Sequence, residues 1–424
     1  MRKFIYILLV LVLLFIVLTY ISISETKDSF RTCTVLNPKD VAHINFKDFD
    51  SVTVAANTLY EASLLKEIMQ GEQYRKAWAT PVTVPIVYLD TLKGGLTFVE
   101  TGGGKQTHSL EYEDNKGVRY TFRSLSKDPE KLVPQWGKIL GLENIIVDGI
   151  SAQHPYAALV VAELSEAAQV LHTHPKLVFL PKQSTLGEYN NKYGDRLYFF
   201  EYESEGKVDW TGWEQVYEIM DTDDLLELKM EQGQKVALDY GALIRARLFD
   251  VLIGDWDRHA KQWGWVIQKK EGRFKATPLP TDRDNAFFEV DGVLPTIIAN
   301  KFIVEDLQNY GEKVDFLPGL VIPFDAYFLR TVSREQFKTE AKQLQHLLND
   351  QTIENAFRVW PQAIDSLDGQ SIRKKLKARR DLLITISENF YGILQDRPME
   401  TIVLKGCEDL VLPPQMQQCF DCNN

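Results

Sequence analysis

The chain has 424 residues, 45% of them hydrophobic and 25% charged. These proportions exclude a disordered, collagenous or multi-pass membrane protein. A net charge of −11 works against a nucleic-acid partner, because an acidic surface repels a polyphosphate backbone, and four cysteines are too few to build a disulfide scaffold, so the fold has to rest on an apolar core.

Residues 4–24 carry no charge. At about 1.5 Å per residue such a helix spans roughly 31 Å, the thickness of a bilayer core. Arg2 and Lys3 precede it, which predicts a cytoplasmic N-terminus and a main domain outside the cytoplasm, in the periplasm or at the cell surface. The run is longer than a signal-peptide core, and Ser22-Ile23-Ser24 is a poor cleavage site, so a single-pass anchor over 1–24 is expected.

Residues 25–95 read as a juxtamembrane lead-in, with a short helix over 59–69 and extended chain over 80–87, where Pro81 and Pro85 bar a helix. A β-rich unit is expected over 96–205. It opens with a meander over 96–125, cornered by the Gly102–Gly104 run and by the Asn115-Lys116-Gly117 turn. A helix over 152–171 and strands over 177–181 and 196–203 follow. From 206 to 395 helices dominate, over 221–230, 239–253, 336–349, 353–360 and 372–394. Strands first and helices after predict an α+β chain. The tail, 396–424, holds Cys407, Cys419 and Cys422. Export permits disulfides, and of the three connectivities open to four cysteines the expected role is a staple of the tail to Cys33 and Cys407.

The densest chemistry lies in Leu252-Ile253-Gly254-Asp255-Trp256-Asp257-Arg258-His259 and, beyond a hairpin through Glu271-Gly272-Arg273, in Asp282-Arg283-Asp284-Asn285. Two acidic clusters on either side of a short hairpin suit phosphoryl transfer. One carboxylate orients the acceptor hydroxyl, and another holds the metal ions on the nucleotide phosphates. The Gly102-Gly103-Gly104-Lys105 corner can bring backbone N–H groups to phosphates, although its spacing is not that of a Walker loop. Taken singly, the triple glycine is a hairpin corner and the acidic runs are solvated turns. Their coincidence is more specific than any one of them. Arg258 can pair with Asp255 or with Asp282. His172-Thr173-His174 reads as a surface turn, and Arg373–Arg380 as the solvated face of a helix.

The 252–259 string resembles the catalytic loop of atypical kinases, the HipA-type, the CotH-type spore-coat and the secretory-pathway kinases. The string 282–287 is similar to their metal-binding motif. Residues 75–300 also resemble an uncharacterised bacterial family marked by GGGxQT, HPYAALV and LIGDWDRH. The kinase resemblance implies a bilobal protein-kinase-like fold, with a β-rich N-lobe over 96–205 and a helical C-lobe over 206–395. It implies that Asp257 is catalytic, that Asp282, or Asp284 in an alternative register, ligates Mg²⁺ or Mn²⁺, and that Gln262 stands at a second metal position. Gly102, Gly103, Gly104, Lys105 and Arg123 would then hold ATP or another phosphate donor. Tyr198, or the chain at Glu201 and Tyr202, would line an adenine pocket. The acceptor would be a protein, glycan or small-molecule hydroxyl. The chain departs from the motif in four places, the first being Asp255, which replaces a common asparagine. Arg123 replaces a lysine and is not its equivalent, so Lys105 or Lys127 is the alternative cation. Gln262 is neutral. The partner glutamate has no clear counterpart, Gln153 and His154 falling nearest. These departures open a second reading, a catalytically inactive kinase-like scaffold of the cell envelope.

Overall fold

The computed structural model describes residues 2–24, 34–35, 44–102, 108–127, 135–298, 304–398 and 401–422. Among the described residues it is a mixed α+β fold with three sheets. The strands are β1 Thr34–Val35, β2 Ser51–Ala55, β3 Pro81–Pro85, β4 Leu96–Gly102, β5 Ser109–Asp114, β6 Arg119–Ser124, β7 Lys176–Leu180, β8 Arg196–Tyr202, β9 Val216–Asp221, β10 Val236–Leu238, β11 Trp263–Lys270 and β12 Arg273–Pro280. The sheet orders are β1-β2-β3, β4-β5-β6-β8-β7 and β10-β12-β11-β9.

The expected meander forms because its second turn is built locally. The Asp114 carboxylate accepts the Lys116 and Val118 amides at 2.8 and 3.0 Å, and Gly117 takes a φ of +83°. The inner strands β6 and β8 of the five-stranded sheet are buried on both faces, whereas the edge strand β4 is partly exposed. Along β8, Leu197 and Phe199 enter the main core, whereas Tyr198 and Phe200 point into a second cluster with Leu110 and Phe122.

Several expected boundaries move. The helix expected over 59–69 is Leu64–Gln70, which starts where the Ser63 hydroxyl caps the Lys66 amide. The helix expected over 152–171 is Ala157–Ala167. Pro155 disfavours helical backbone at His154, and Ile150–Ala152 is a separate 3₁₀ turn. The helix expected over 372–394 is two, Gln370–Asp381 and Leu383–Asp396, parted at Leu382. The expected staple is replaced within the tail itself. Cys419 bonds Cys422, Cys407 is a buried free thiol, and Cys33 lies outside the described residues.

The helix Arg2–Ser24 is long and apolar enough to cross a membrane. Its last turns, with Thr19, Ser22 and Ile23 buried, pack on helices Leu64–Gln70 and Glu143–Gly149. The Gln70 amide donates to the Ser22 hydroxyl at 3.1 Å.

Candidate active site

Helix Tyr240–Ile253 is fixed at both ends. The Asp239 carboxylate accepts the Ala242 amide at 3.0 Å, and Gly254 closes the C-terminus in the left-handed conformation, φ +74°. The chain leaves Gly254 into the 255–259 loop. The second acidic segment runs beside it, since the Phe287 amide donates to the Ile253 carbonyl at 2.9 Å.

One fully buried carboxylate braces both segments. Asp250 faces Arg247 at 2.9 Å, Arg258 at 3.3 Å and Arg283 at 2.9 Å. Burial works to raise its pKa, but the three guanidinium groups win and hold it below the usual carboxylate range. Arg258 also reaches Asp255 at 3.4 Å and donates to the Thr281 and Gln262 carbonyls at 2.6 and 2.8 Å. Of its two expected partners it therefore takes Asp255. The Asp255 carboxyl is pushed up to about 8, by burial first and by neighbouring Asp250, against the pull of Arg258.

Asp282, with a φ of +50°, meets Arg123 at 2.6 Å. The Gln262 amide nitrogen stands 3.5 Å from its other oxygen. Asp284 meets Lys127 at 2.5 Å. The two carboxyl groups are electrostatic neighbours. Burial works to raise Asp282, but Arg123 and Lys127 hold it below its ordinary value. Asp284 is raised, by burial and then by the Asp282 charge. Arg123 reaches Glu201 at 2.6 Å with its other nitrogen, and Glu201 in turn accepts the Thr173 hydroxyl. Burial lifts Glu201 to about 7 in spite of these two partners. Arg123, Thr173, Glu201, Thr281 and Asp282 line a small crevice between the five-stranded sheet and the second acidic segment.

Asp257 is half-buried, 3.5 Å from Lys405 of the tail and 3.9 Å from the His259 imidazole. Burial lowers the His259 pKa, and both Asp257 and Asp282 oppose that shift, so the ring lies within electrostatic reach of the two carboxylates. Gly102 ends β4 in one cross-strand row with Ser109 and Arg123. A Cβ at Gly102 would come within 2.7 Å of the Ser109 hydroxyl. Gly103, Gly104 and Lys105 lie outside the described residues. Tyr198 is fully buried, bonded to the Tyr193 carbonyl at 2.7 Å, and lines no crevice with Asp282. Gln153 does face the second acidic segment, since its amide donates to Asn285 at 2.6 Å.

Lys127 stands where the sequence offered it as an alternative to Arg123, Glu201 pairs with Arg123 rather than serving only an adenine pocket, and Asp250 was missed as a member of this network. Asp250 carried a signal, an acid inside the apolar run Leu248–Ile253, where a buried charge has to be paired. The turn at 172–174 is closed by Glu166, whose carboxylate stands 3.2 Å from His172 Nε2. His172 and Thr173 are buried rather than on the surface, His172 Nδ1 accepts the His174 amide at 3.2 Å, and Glu166, His172 and His174 bring one potential ligand atom each within 4.8 Å of one another.

No family model matches the chain, and no curated protein does. Similar solved structures include the Helicobacter pylori proinflammatory kinase CtkA, at 12% identity and a TM-score of 0.35, covering 70% of this chain and 95% of that one. Another is HipA of the Shewanella oneidensis MR-1 toxin–antitoxin system, at 10% identity and a TM-score of 0.31, covering 73% of this chain and 67% of that one. At these TM-scores the likeness to kinases is remote and carries no argument about activity.

Proposed function

We propose that the chain is a bilobal kinase-like phosphotransferase, anchored in a membrane by its N-terminal helix with the main domain outside the cytoplasm. The observation that carries the reading is the pairing of two cations from the sheet side, Arg123 and Lys127, with two adjacent carboxylates, Asp282 and Asp284, at 2.6 and 2.5 Å. Nucleotide phosphates would take over Arg123 and Lys127 and release both carboxylates. Two neighbouring carboxylates, with the Gln262 amide beside them, fit a hard divalent cation such as Mg²⁺ or Mn²⁺, which prefers oxygen ligands. Such a cation supplies neutralisation of phosphate charge.

Asp257 orients the acceptor hydroxyl and takes its proton, with His259 holding the loop beside it. Arg123 positions the donor phosphates, and its bond to Glu201 keeps the guanidinium plane fixed. Gly102, Gly103, Gly104 and Lys105 bind the donor phosphates. The donor is ATP or another nucleotide, and the acceptor is a hydroxyl on a protein, glycan or small molecule.

A catalytically inactive scaffold is the second reading, favoured by the contact of Asp257 with Lys405 at 3.5 Å. Melting of the full chain in detergent with ATP and Mn²⁺ separates the readings. A metal-dependent rise in Tm that Asp282→Ala abolishes is expected, together with radiolabel transfer that Asp257→Ala abolishes while the Tm rise persists. A Tm rise without transfer selects the scaffold. No rise with any nucleotide and metal overturns the phosphotransferase.

A further inference from the structure

The described helices around the foot of the anchor carry exposed apolar side chains in pairs. Leu64 and Ile68 are 73% and 54% exposed, one turn apart on one helix face. Ile139 and Leu140 are 77% and 50% exposed, and Val293 and Ile297, again one turn apart, are 41% and 54% exposed. Single exposed apolar residues are ordinary. These six are not scattered.

Helix Leu64–Gln70 packs on the anchor, on helix Glu143–Gly149 and on helix Val293–Ile298. The last of these is held by close backbone contact of Gly292 with Gly71, and by the Asp291 carboxylate, which accepts the Glu72 and Gln73 amides at 3.1 Å each. Leu140 is tied to the anchor itself, because its carbonyl accepts the Tyr20 hydroxyl at 2.9 Å. The charges beneath this face are withdrawn from it. Lys66 and Arg75 are buried against Asp148, Lys66 at 2.8 Å. Glu67, Lys138 and Glu143 remain at its rim.

Length fixes where the bilayer ends. A hydrocarbon core of about 30 Å takes about 20 helical residues. Counted from Lys3, it is used up near Ser22, among the residues that the domain buries. Tyr20 then stands in the interfacial layer, where tyrosine is favoured. Helix Leu64–Gln70 packs on those last turns and Leu140 is bonded to Tyr20, so two of the pairs stand beside that layer, and helix Val293–Ile298 packs on the first of them.

We propose that these six residues form a collar that rests in the lipid interface and fixes the orientation of the domain on the bilayer. The inference rests on the anchor reading. The occupant is lipid, because the face adjoins the membrane-spanning helix and its six apolar side chains carry no charge, the charged Glu67, Lys138 and Glu143 standing only at the rim.

The test uses the full chain with Cys33→Ala and Cys407→Ala, reconstituted in phosphatidylcholine nanodiscs containing doxyl-labelled lipid. Single cysteines carrying an environment-sensitive fluorophore replace Ile68, Ile139 or Ile297 on the collar, Leu11 in the anchor, and Tyr217 or Val411 as exposed sites away from it. Quenching at the three collar sites at least about two-fold above that at 217 and 411 is expected, strongest for lipid labelled near the headgroup. Collar sites as unquenched as 217 and 411, with Leu11→Cys quenched, overturn the collar and leave the anchor standing. Dehydrated but unquenched collar sites mean that protein covers the face, which also overturns it. An unquenched Leu11→Cys removes the anchor and the collar with it.

Discussion

Arg123 holds two carboxylates at once, Glu201 and Asp282, each at 2.6 Å. A lysine has one point charge and cannot reproduce that fork. Arg123→Met leaves the buried Glu201 without its cation and should cost about 3 kcal/mol in urea unfolding, the lower end for breaking a buried pair because Asp282 is partly exposed. Arg123→Lys should cost less. Asp255 gives a pH signature of opposite sign to a paired acid. Its pKa is raised in the fold from 3.8 to about 8, so its contribution to stability is full below 3.8, declines as the pH rises and is gone above about 8. Asp255→Asn is neutral throughout. Its stability relative to the parent chain should therefore rise between about pH 5 and about pH 9, measured by urea midpoints at both. A constant difference would mean that Arg258 keeps Asp255 ionised. Asp282 runs the other way. Arg123 and Lys127 keep its pKa low, so its contribution is present above the ordinary carboxylate range and lost in acid.

At the scale of elements, the helix that presents Asp257 is set by its ends. Gly254→Ala puts a side chain into the left-handed region and brings its Cβ to 2.6 Å from the Tyr310 ring. Gly141, at φ +64°, has nothing within 4 Å of such a Cβ. Both substitutions carry the backbone strain of about 1–2 kcal/mol. Gly254→Ala alone adds the clash, so its urea midpoint should fall further than that of Gly141→Ala. Equal falls would mean that Tyr310 moves aside freely. Elements with local punctuation were legible in the sequence. The 96–125 meander announces its turn through Asp114 and Gly117, the β11–β12 hairpin through Glu271 and Gly272, and the helix ending at Gly254 through glycine and the polar run behind it. Strand β10 was not legible, because three residues pair in parallel with β12 through non-local contacts. The break at Leu382 carries neither glycine nor proline. The site followed the same division. Asp257, Asp282 and Asp284 stand in short motifs, whereas Lys127 and Glu201 join them only through tertiary pairing.

Across the whole molecule, separate parts of the chain converge on the two acidic segments. Tyr74 donates to the Phe287 carbonyl, the Glu289 amide bonds Ala152 at 3.0 Å, and Lys127 reaches Asp284 from the sheet side. The tail approaches the other segment, where the Ala260 amide donates to the Lys405 carbonyl at 3.2 Å. Further on it is held by one carboxylate. Asp421 meets Lys229 at 2.6 Å and accepts the Tyr240 hydroxyl, while Phe420 packs under the Lys229 ammonium and against Phe328. The Cys419–Cys422 bond shapes the turn that presents these residues. Asp421→Ala leaves Lys229 with the Val236 carbonyl at 3.0 Å and the Phe420 ring as its remaining partners. The charge stays buried, so the loss should be about 3 kcal/mol. Because Lys405 is carried on the same tail, release of Asp421 should also free the loop that bears Asp257. Amide exchange over 255–262 should then accelerate more than exchange in β4–β6, which the tail does not brace. Equal acceleration everywhere would mean that Asp421 serves only global stability, and that the loop keeps its form without the tail.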